Sequence, residues 1–175
     1  RRHTCLNGGA HVYCWGANDQ GQLGLGHTQD IGDDPGEVAA LTGFPIVLEN
    51  VVVGSIATDP NADFTCGWSQ SQVACWGANA SGQLGHGDSE PIGDEPGEMD
   101  AITAIALGSS LTTITRLAIG RAHVCALLRD SNTDTPSRVK CWGDNSHGQL
   151  GLGDTENRGD DPGEMGDNLP FVPVN

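Results

Sequence analysis

The chain has 175 residues with 26 glycines, 9 prolines, 8 lysines and arginines, and a formal charge of −15. No lysine or arginine falls between His3 and Thr115, so the basic footprint that displaces counterions from nucleic acid is missing, and anionic membrane surfaces are disfavoured by the same sign. No apolar run approaches the roughly 18 residues that a membrane-spanning helix needs.

In chain order, Arg1-Arg2-His3-Thr4-Cys5 lacks the layout of a signal peptide and reads as a mature or truncated edge. Residues 3–16 then read as two strands around a tight turn. Cys5 and Cys14 lie 9 apart, so facing them across an antiparallel pair leaves Gly9-Ala10 as a two-residue loop, a place suited to glycine. Cys14-Trp15-Gly16-Ala17-Asn18-Asp19-Gln20-Gly21-Gln22-Leu23-Gly24-Leu25-Gly26 follows, and after it the acidic Ile31-Gly32-Asp33-Asp34-Pro35-Gly36-Glu37. Phe44–Leu48, Val51–Val53 and Ser55–Thr58 are β-branched runs that lead into a second cysteine hairpin, Cys66 with Cys75, tipped by Gln70-Ser71.

The same string returns from Cys75 to Gly87 and from Cys141 to Gly153, at intervals of 61 and 66 residues, each copy followed by its acidic segment. Self-similarity at such a period fixes architecture before any single residue is read. Ala101–Leu107 and Leu111–Ile119 supply strands ahead of the third hairpin, whose cysteines, Cys125 and Cys141, stand 16 apart because a polar tip (129–138) is inserted. About four antiparallel strands per period is the signature of a β-propeller blade, so the expected class is all-β with about three repeats of a partial or oligomer-completed propeller. The expected divisions are a half blade at 1–37, blades at 38–100 and 101–167, and at 168–175 the first strand of a further or ring-closing blade.

Facing cysteines in non-hydrogen-bonded pairs sit close enough for Cys5–Cys14, Cys66–Cys75 and Cys125–Cys141 bridges, which would imply an oxidising compartment. Buried free thiols and metal binding are the alternatives, although no C-x₂-C spacing is present. The turn glycines Gly16, Gly21, Gly24, Gly77, Gly82, Gly85, Gly143, Gly148 and Gly151 suit positive φ, and a phosphate loop is excluded because its lysine is absent. Asn18, Asn79 and Asn145, with Gln22, Gln83 and Gln149, are expected to bond turn backbone, and Trp15, Trp76 and Trp142 to pack between blades.

Each acidic segment sets three carboxylates in a proline-glycine turn: Asp33, Asp34 and Glu37; Asp94, Glu95 and Glu98; Asp160, Asp161 and Glu164. A weak calcium site or a solvated acidic turn both fit. Trp68 breaks the repeat register, and Arg129 and Arg138, with Lys140 and Arg121 near, make a local basic spot; these are the candidate binding residues. His3 and His123 repeat beside the first cysteine and read as structural. No nucleophile triad or His-Glu-x-x-His string is present, so no catalytic residue and no cofactor are expected.

The string Cys-Trp-Gly-x-Asn-x-x-Gly-Gln-Leu-Gly-x-Gly, preceded by His3-Thr4-Cys5 or Ala122-His123-Val124-Cys125-Ala126-Leu127, resembles the repeat of the regulator-of-chromosome-condensation family. The resemblance implies a propeller of four-stranded blades. Its members include exchange factors for a small nuclear GTPase and a secreted bacterial propeller that inhibits beta-lactamases. The paired cysteines and the Gly-Asp-x-Pro-Gly-Glu extension look like secreted bacterial versions. Phe64 stands where His3 and His123 do, and Gly67-Trp68 where Ala126-Leu127 do. No exchange-factor residue maps onto this chain. The function expected is a non-catalytic extracytoplasmic scaffold that binds a protein partner or copies of itself, with a hydrolase inhibitor and an exchange factor as the alternatives.

Overall fold

The computed structural model describes residues 2–8, 11–41, 51, 53–109, 113–129 and 137–174. Its strands are β1 (His3–Asn7), β2 (Val12–Gly16), β3 (Ser55–Ala57), β4 (Phe64–Trp68), β5 (Val73–Gly77), β6 (Thr113–Ile119), β7 (His123–Arg129) and β8 (Arg138–Gly143). Among the described residues they form an antiparallel pair, β1-β2, and two three-stranded sheets, β3-β4-β5 and β6-β7-β8. The chain is thus an all-β array of propeller-type units. The registers align Cys5 with Cys14, Cys66 with Cys75 and Cys125 with Cys141, and each couple is bridged at a Cα separation of 4.2, 4.0 and 4.1 Å in turn. Such short separations mark non-hydrogen-bonded pairs.

The turn of the first hairpin lies outside the described residues, and Gly8 N–H to His11 O (2.8 Å) closes its base. The expected strand at 44–48 and residue 52 also lie outside them, and Val51 and Val53, expected as strand, stand outside any strand. Where four strands per unit are expected, the two larger sheets carry three. The remaining edge is occupied by less regular chain. Ile105 N–H donates to Val73 O at 2.8 Å, and Val172 N–H donates to Val139 O at 2.9 Å. Segment 102–107, which the sequence groups with the Cys125 blade, therefore runs beside β5, and 169–174 runs beside β8. Ile102, Ile105 and Leu107 are all buried, a spacing that breaks the two-residue period of a strand and leaves no continuous ladder.

Two four-residue helices, α1 (Glu37–Ala40) and α2 (Glu98–Ala101), end the acidic segments, and a 3₁₀ turn (Gly166–Asn168) stands at the third. The main core joins Phe64, Val73, Leu84, Ile105, Val124, Leu128, Trp142 and Leu169, so it runs through the second and third repeats. A smaller cluster around Val12, Cys14 and Leu23 serves the first. Among the described residues no helix is long and apolar enough to cross a membrane.

Candidate functional site

The repeated turn is a closed loop held by its own side chains. Gly16 and Ile31 exchange two backbone bonds (2.7 and 3.0 Å), as do Gly77 with Ile92 and Gly143 with Arg158. Inside each loop an asparagine substitutes for missing ladder partners. Asn18 Oδ1 accepts from Leu23 N–H at 2.9 Å while its Nδ2 donates to His27 O at 2.6 Å. Asn79 does the same for Leu84 and Asp88, and Asn145 for Leu150 and Asp154. Gln22, Gln83 and Gln149 accept from the amides of Gln20, Ser81 and His147 through Oε1. All three asparagines are buried, so each satisfied amide spares the penalty of an orphaned polar group.

These loops are also the joints between repeats. The first turn seats against the acidic segment of the second repeat, with Gly26 N–H donating to Gly93 O at 3.0 Å; Gly87 and Gly159 repeat this bond at 3.0 Å. A Cβ on Gly21 would collide with Asp94 N, and one on Gly82 with Asp160 N. Those glycines serve close backbone approach as well as positive φ. Trp76 Nε1 donates to Gln22 O at 3.1 Å, and Trp142 Nε1 to Gln83 O at 3.0 Å, each reaching the preceding repeat from a fully buried ring. Thr65 Oγ1 also donates to Gln22 O, at 2.9 Å. With that hydroxyl hydrogen committed, the 2.8 Å contact between His3 Nε2 and Thr65 Oγ1 requires the proton on Nε2, which leaves buried Nδ1 without a partner.

In the acidic segments the glutamates are loop caps. Glu37 Oε2 accepts from Gly32 N–H (2.7 Å) and Asp34 N–H (3.1 Å), Glu98 from Gly93 and Glu95, and Glu164 from Gly159 and Asp161. The Gly32 and Asp34 amides hold the Glu37 carboxyl below its ordinary pKa. Burial lifts that of Asp94, with Glu98 and Glu95 adding to the rise. Among the described residues no group of three or more His, Cys, Asp or Glu side chains is placed to hold a metal ion. Glu98→Ala removes a charged acceptor shared by two amides and is expected to cost about 1.5–3 kcal/mol, read by chemical denaturation. Glu98→Gln, which keeps one amide oxygen, should recover part of the loss.

His3 and His86 carry a pH dependence. Burial holds both imidazoles below their ordinary pKa, against the opposing pull of Asp63 on His3 and Asp88 on His86. The unfolded chain therefore binds these protons more readily than the folded one. Their contribution is present above the ordinary histidine value and is lost as pH falls through the lowered folded values. The urea midpoint should drop between about pH 7.5 and pH 5.5, and His3→Gln should flatten part of that slope. An unchanged midpoint would show both rings solvated.

The inserted tip is described only at its bases. Arg138 stacks on Phe171 with its guanidinium 3.8 Å from the ring centre, so it fastens the chain's last segment. Lys140 is no part of an exposed basic spot: it is 2% exposed, its Nζ donates to Gly166 O at 2.6 Å, and it lies 4.8 Å from the Phe171 ring centre. Burial lowers its pKa against the attraction of Asp167. Trp68 ends β4 half-buried against the main core. Arg129 ends β7 exposed.

Two stretches, residues 10–55 and 114–149, match the family model described as Regulator of chromosome condensation (RCC1) repeat. The chain is 36% identical over 155 residues to the Ultraviolet-B receptor UVR8 of Arabidopsis thaliana, covering 87% of this chain and 30% of that protein. It is 32% identical over 152 residues to the X-linked retinitis pigmentosa GTPase regulator of Homo sapiens (87% and 13% covered). It is 32% identical over 144 residues to the probable E3 ubiquitin-protein ligase HERC6 of Homo sapiens (81% and 12% covered). The crystal structure of human WBSCR16 is similar in fold, with a TM-score of 0.58 at 21% identity, covering 99% of this chain and 36% of that one. The chain spans about a third or less of each of these proteins. Its repeated turn, its propeller-type sheets and these matches make it a member of the RCC1 repeat family.

Proposed function

We propose that this chain is a non-catalytic, extracytoplasmic propeller-repeat scaffold whose work is to bind protein, either a partner or further copies of itself. The observation that carries this reading is the junction chemistry. The asparagines and glutamines of the repeated turn hold the loop, and Trp76 and Trp142 grip the preceding repeat, which builds a stiff frame. A frame of that kind holds loops in fixed relation, the usual way such scaffolds recognise proteins. The placement outside the cytoplasm rests on the three bridges, since glutathione and thioredoxin keep cytosolic thiols reduced.

The test is an intact-mass measurement on protein taken from its native cells under alkylating, non-reducing conditions. Complete protection of all six cysteines from alkylation supports the reading. Free thiols at those positions would overturn the placement. A loss-of-function screen that traced a chemical turnover to this chain would overturn the non-catalytic part.

A further inference from the structure

The chain holds two methionines, Met99 and Met165, and both occupy one register position, directly after the glutamate that caps the acidic segment. Val38 holds that place in the first repeat. Both methionines are half-buried and stand at the two joints inside the array. Met99 packs with Val51, Trp76 and Ile102, and Met165 with the main core. A Cβ on Gly24 of the first turn would lie 3.1 Å from Met99 Cε and 2.9 Å from Trp76 Nε1, and one on Gly93 would lie 3.5 Å from Met99 Sδ. The second joint repeats the arrangement. A Cβ on Gly85 would lie 3.1 Å from both Met165 Cε and Trp142 Nε1, and one on Gly159 would lie 3.4 Å from Met165 Sδ. Each thioether therefore fills the space between a glycine of one repeat and a glycine of the next, beside the indole that ties the two together. An open cavity of about 320 Å³, whose lining includes Gly87, Ala106, Gly163 and Met165, brings solvent to the second methionine.

We propose that Met99 and Met165 are modification sites through which a peroxide loosens the joints between repeats. The sulfur lone pair attacks one peroxide oxygen and the O–O bond breaks. The thioether is oxidised by two electrons to the sulfoxide, and the peroxide is reduced to water. All six cysteines are bridged, so these two thioethers are the remaining sulfurs open to oxidation. Reductases return a sulfoxide to the thioether, which makes the change reversible. The inference rests on the scaffold reading above and adds a regulation to it: a stiff frame that an oxidant slackens no longer holds its loops in fixed relation.

The added oxygen is a strong acceptor placed where the neighbouring donors are already committed. At the first joint Gly24 N–H is given to Gly21 O, Gly26 N–H to Gly93 O, Gly93 N–H to Glu98 and Trp76 Nε1–H to Gln22 O. At the second, Gly85 N–H is given to Gly82 O, Gly87 N–H to Gly159 O, Gly159 N–H to Glu164 and Trp142 Nε1–H to Gln83 O. A sulfoxide at either joint has two outcomes. It stays buried without a donor, or it draws the indole N–H away from the carbonyl of the preceding repeat. Both weaken the same contact. Met is also the side chain suited to this place before oxidation, because its flexible, polarisable thioether packs against an indole and between irregular backbone turns.

The experiment treats the full, disulfide-bonded chain with hydrogen peroxide, maps sulfoxide by peptide mass spectrometry and follows amide exchange at Gly26 and Gly87, whose N–H groups cross the two joints. Both methionines are expected to be oxidised while the chain stays folded. Exchange at Gly26 and Gly87 should then quicken roughly tenfold or more, with the amides inside the cysteine hairpins unchanged. A sulfoxide reductase should restore the protection. Met99→Leu keeps the volume without the sulfur, so peroxide should leave Gly26 protected and still loosen Gly87; Met165→Leu should give the reverse. Three results would overturn the proposal: sulfoxide formed with no change at the joint amides, oxidation only under conditions that unfold the chain, or loosening that persists when both methionines are leucine. Bridged cysteines with no response to peroxide remove only this switch, while free thiols in the native protein remove only the placement outside the cytoplasm.

Discussion

Trp76→Ala is expected to destabilise the protein by about 3–5 kcal/mol, measured by urea unfolding followed by circular dichroism. The ring is fully buried, packed with Val51, Ala74 and Ile102, and lies over Gly67, whose missing side chain makes room for it. Its indole N–H is also a direct bond to the first repeat, through Gln22 O. Trp76→Phe keeps most of the packing and leaves that carbonyl with Thr65 as its remaining donor, so it should cost only about 1–2 kcal/mol. Because the lost contacts lie at a joint, Trp76→Ala should also make the first repeat unfold ahead of the other two, broadening the transition. Trp15→Ala, at the same place in the motif, should cost far less in a monomer, since that ring is half-exposed and has no carbonyl to bond among the described residues. Equal losses at Trp15 and Trp76 would show that the tryptophans act within their own repeats and would remove the joint from the account.

How much of this was legible beforehand can be seen residue by residue. The cysteine spacing and the alternation around it were enough to set the hairpin registers, because a tight turn with two facing cysteines leaves one pairing open. The positive-φ glycines and the loop-bonding asparagines could be read from the threefold repetition itself, since a binding residue has no reason to recur in register. The joints were only half readable. A repeated Trp announces packing, but the acceptor is a main-chain carbonyl, and no sequence pattern marks Gln22 O apart from its neighbours.

Lys140 shows the opposite failure. Nearness in sequence to Arg138 suggested an exposed basic patch, yet the chain returns 26 residues later and lays Gly166 O and Phe171 over it. The glutamate caps carried a usable signal, although the sequence reading offers only a weak calcium site or a solvated acidic turn for these carboxylates. A Glu set three and five residues after the amides it accepts, in all three repeats, is a capping arrangement. The helices α1 and α2 were hidden by length, because four residues hold about one turn and give no 3.6-residue period to detect.

Removing the Cys66–Cys75 bridge as Cys66→Ala with Cys75→Ala is expected to cost about 2–3 kcal/mol, since the bridge closes a short loop and so restricts the unfolded chain modestly. Both cysteines are fully buried in the main core, so the alanines also give up packing, and the loss should stand at the top of that range or above it. Cys66→Ser alone should be worse than the double alanine variant, because it leaves a buried thiol opposite a hydroxyl with no assigned partner. Exposure sets the order in which the bridges yield to a reductant. Cys5 is half-buried on the edge strand β1, whereas Cys66 and Cys75 are reached only when the sheet opens. Timed reduction with trapping by alkylation should therefore label Cys5 and Cys14 first and Cys66 and Cys75 last. Simultaneous loss of all three bridges would mean that the repeats open as one unit, and a lag confined to Cys66 and Cys75 would mean that the joint at Trp76 is the last part of the frame to give way.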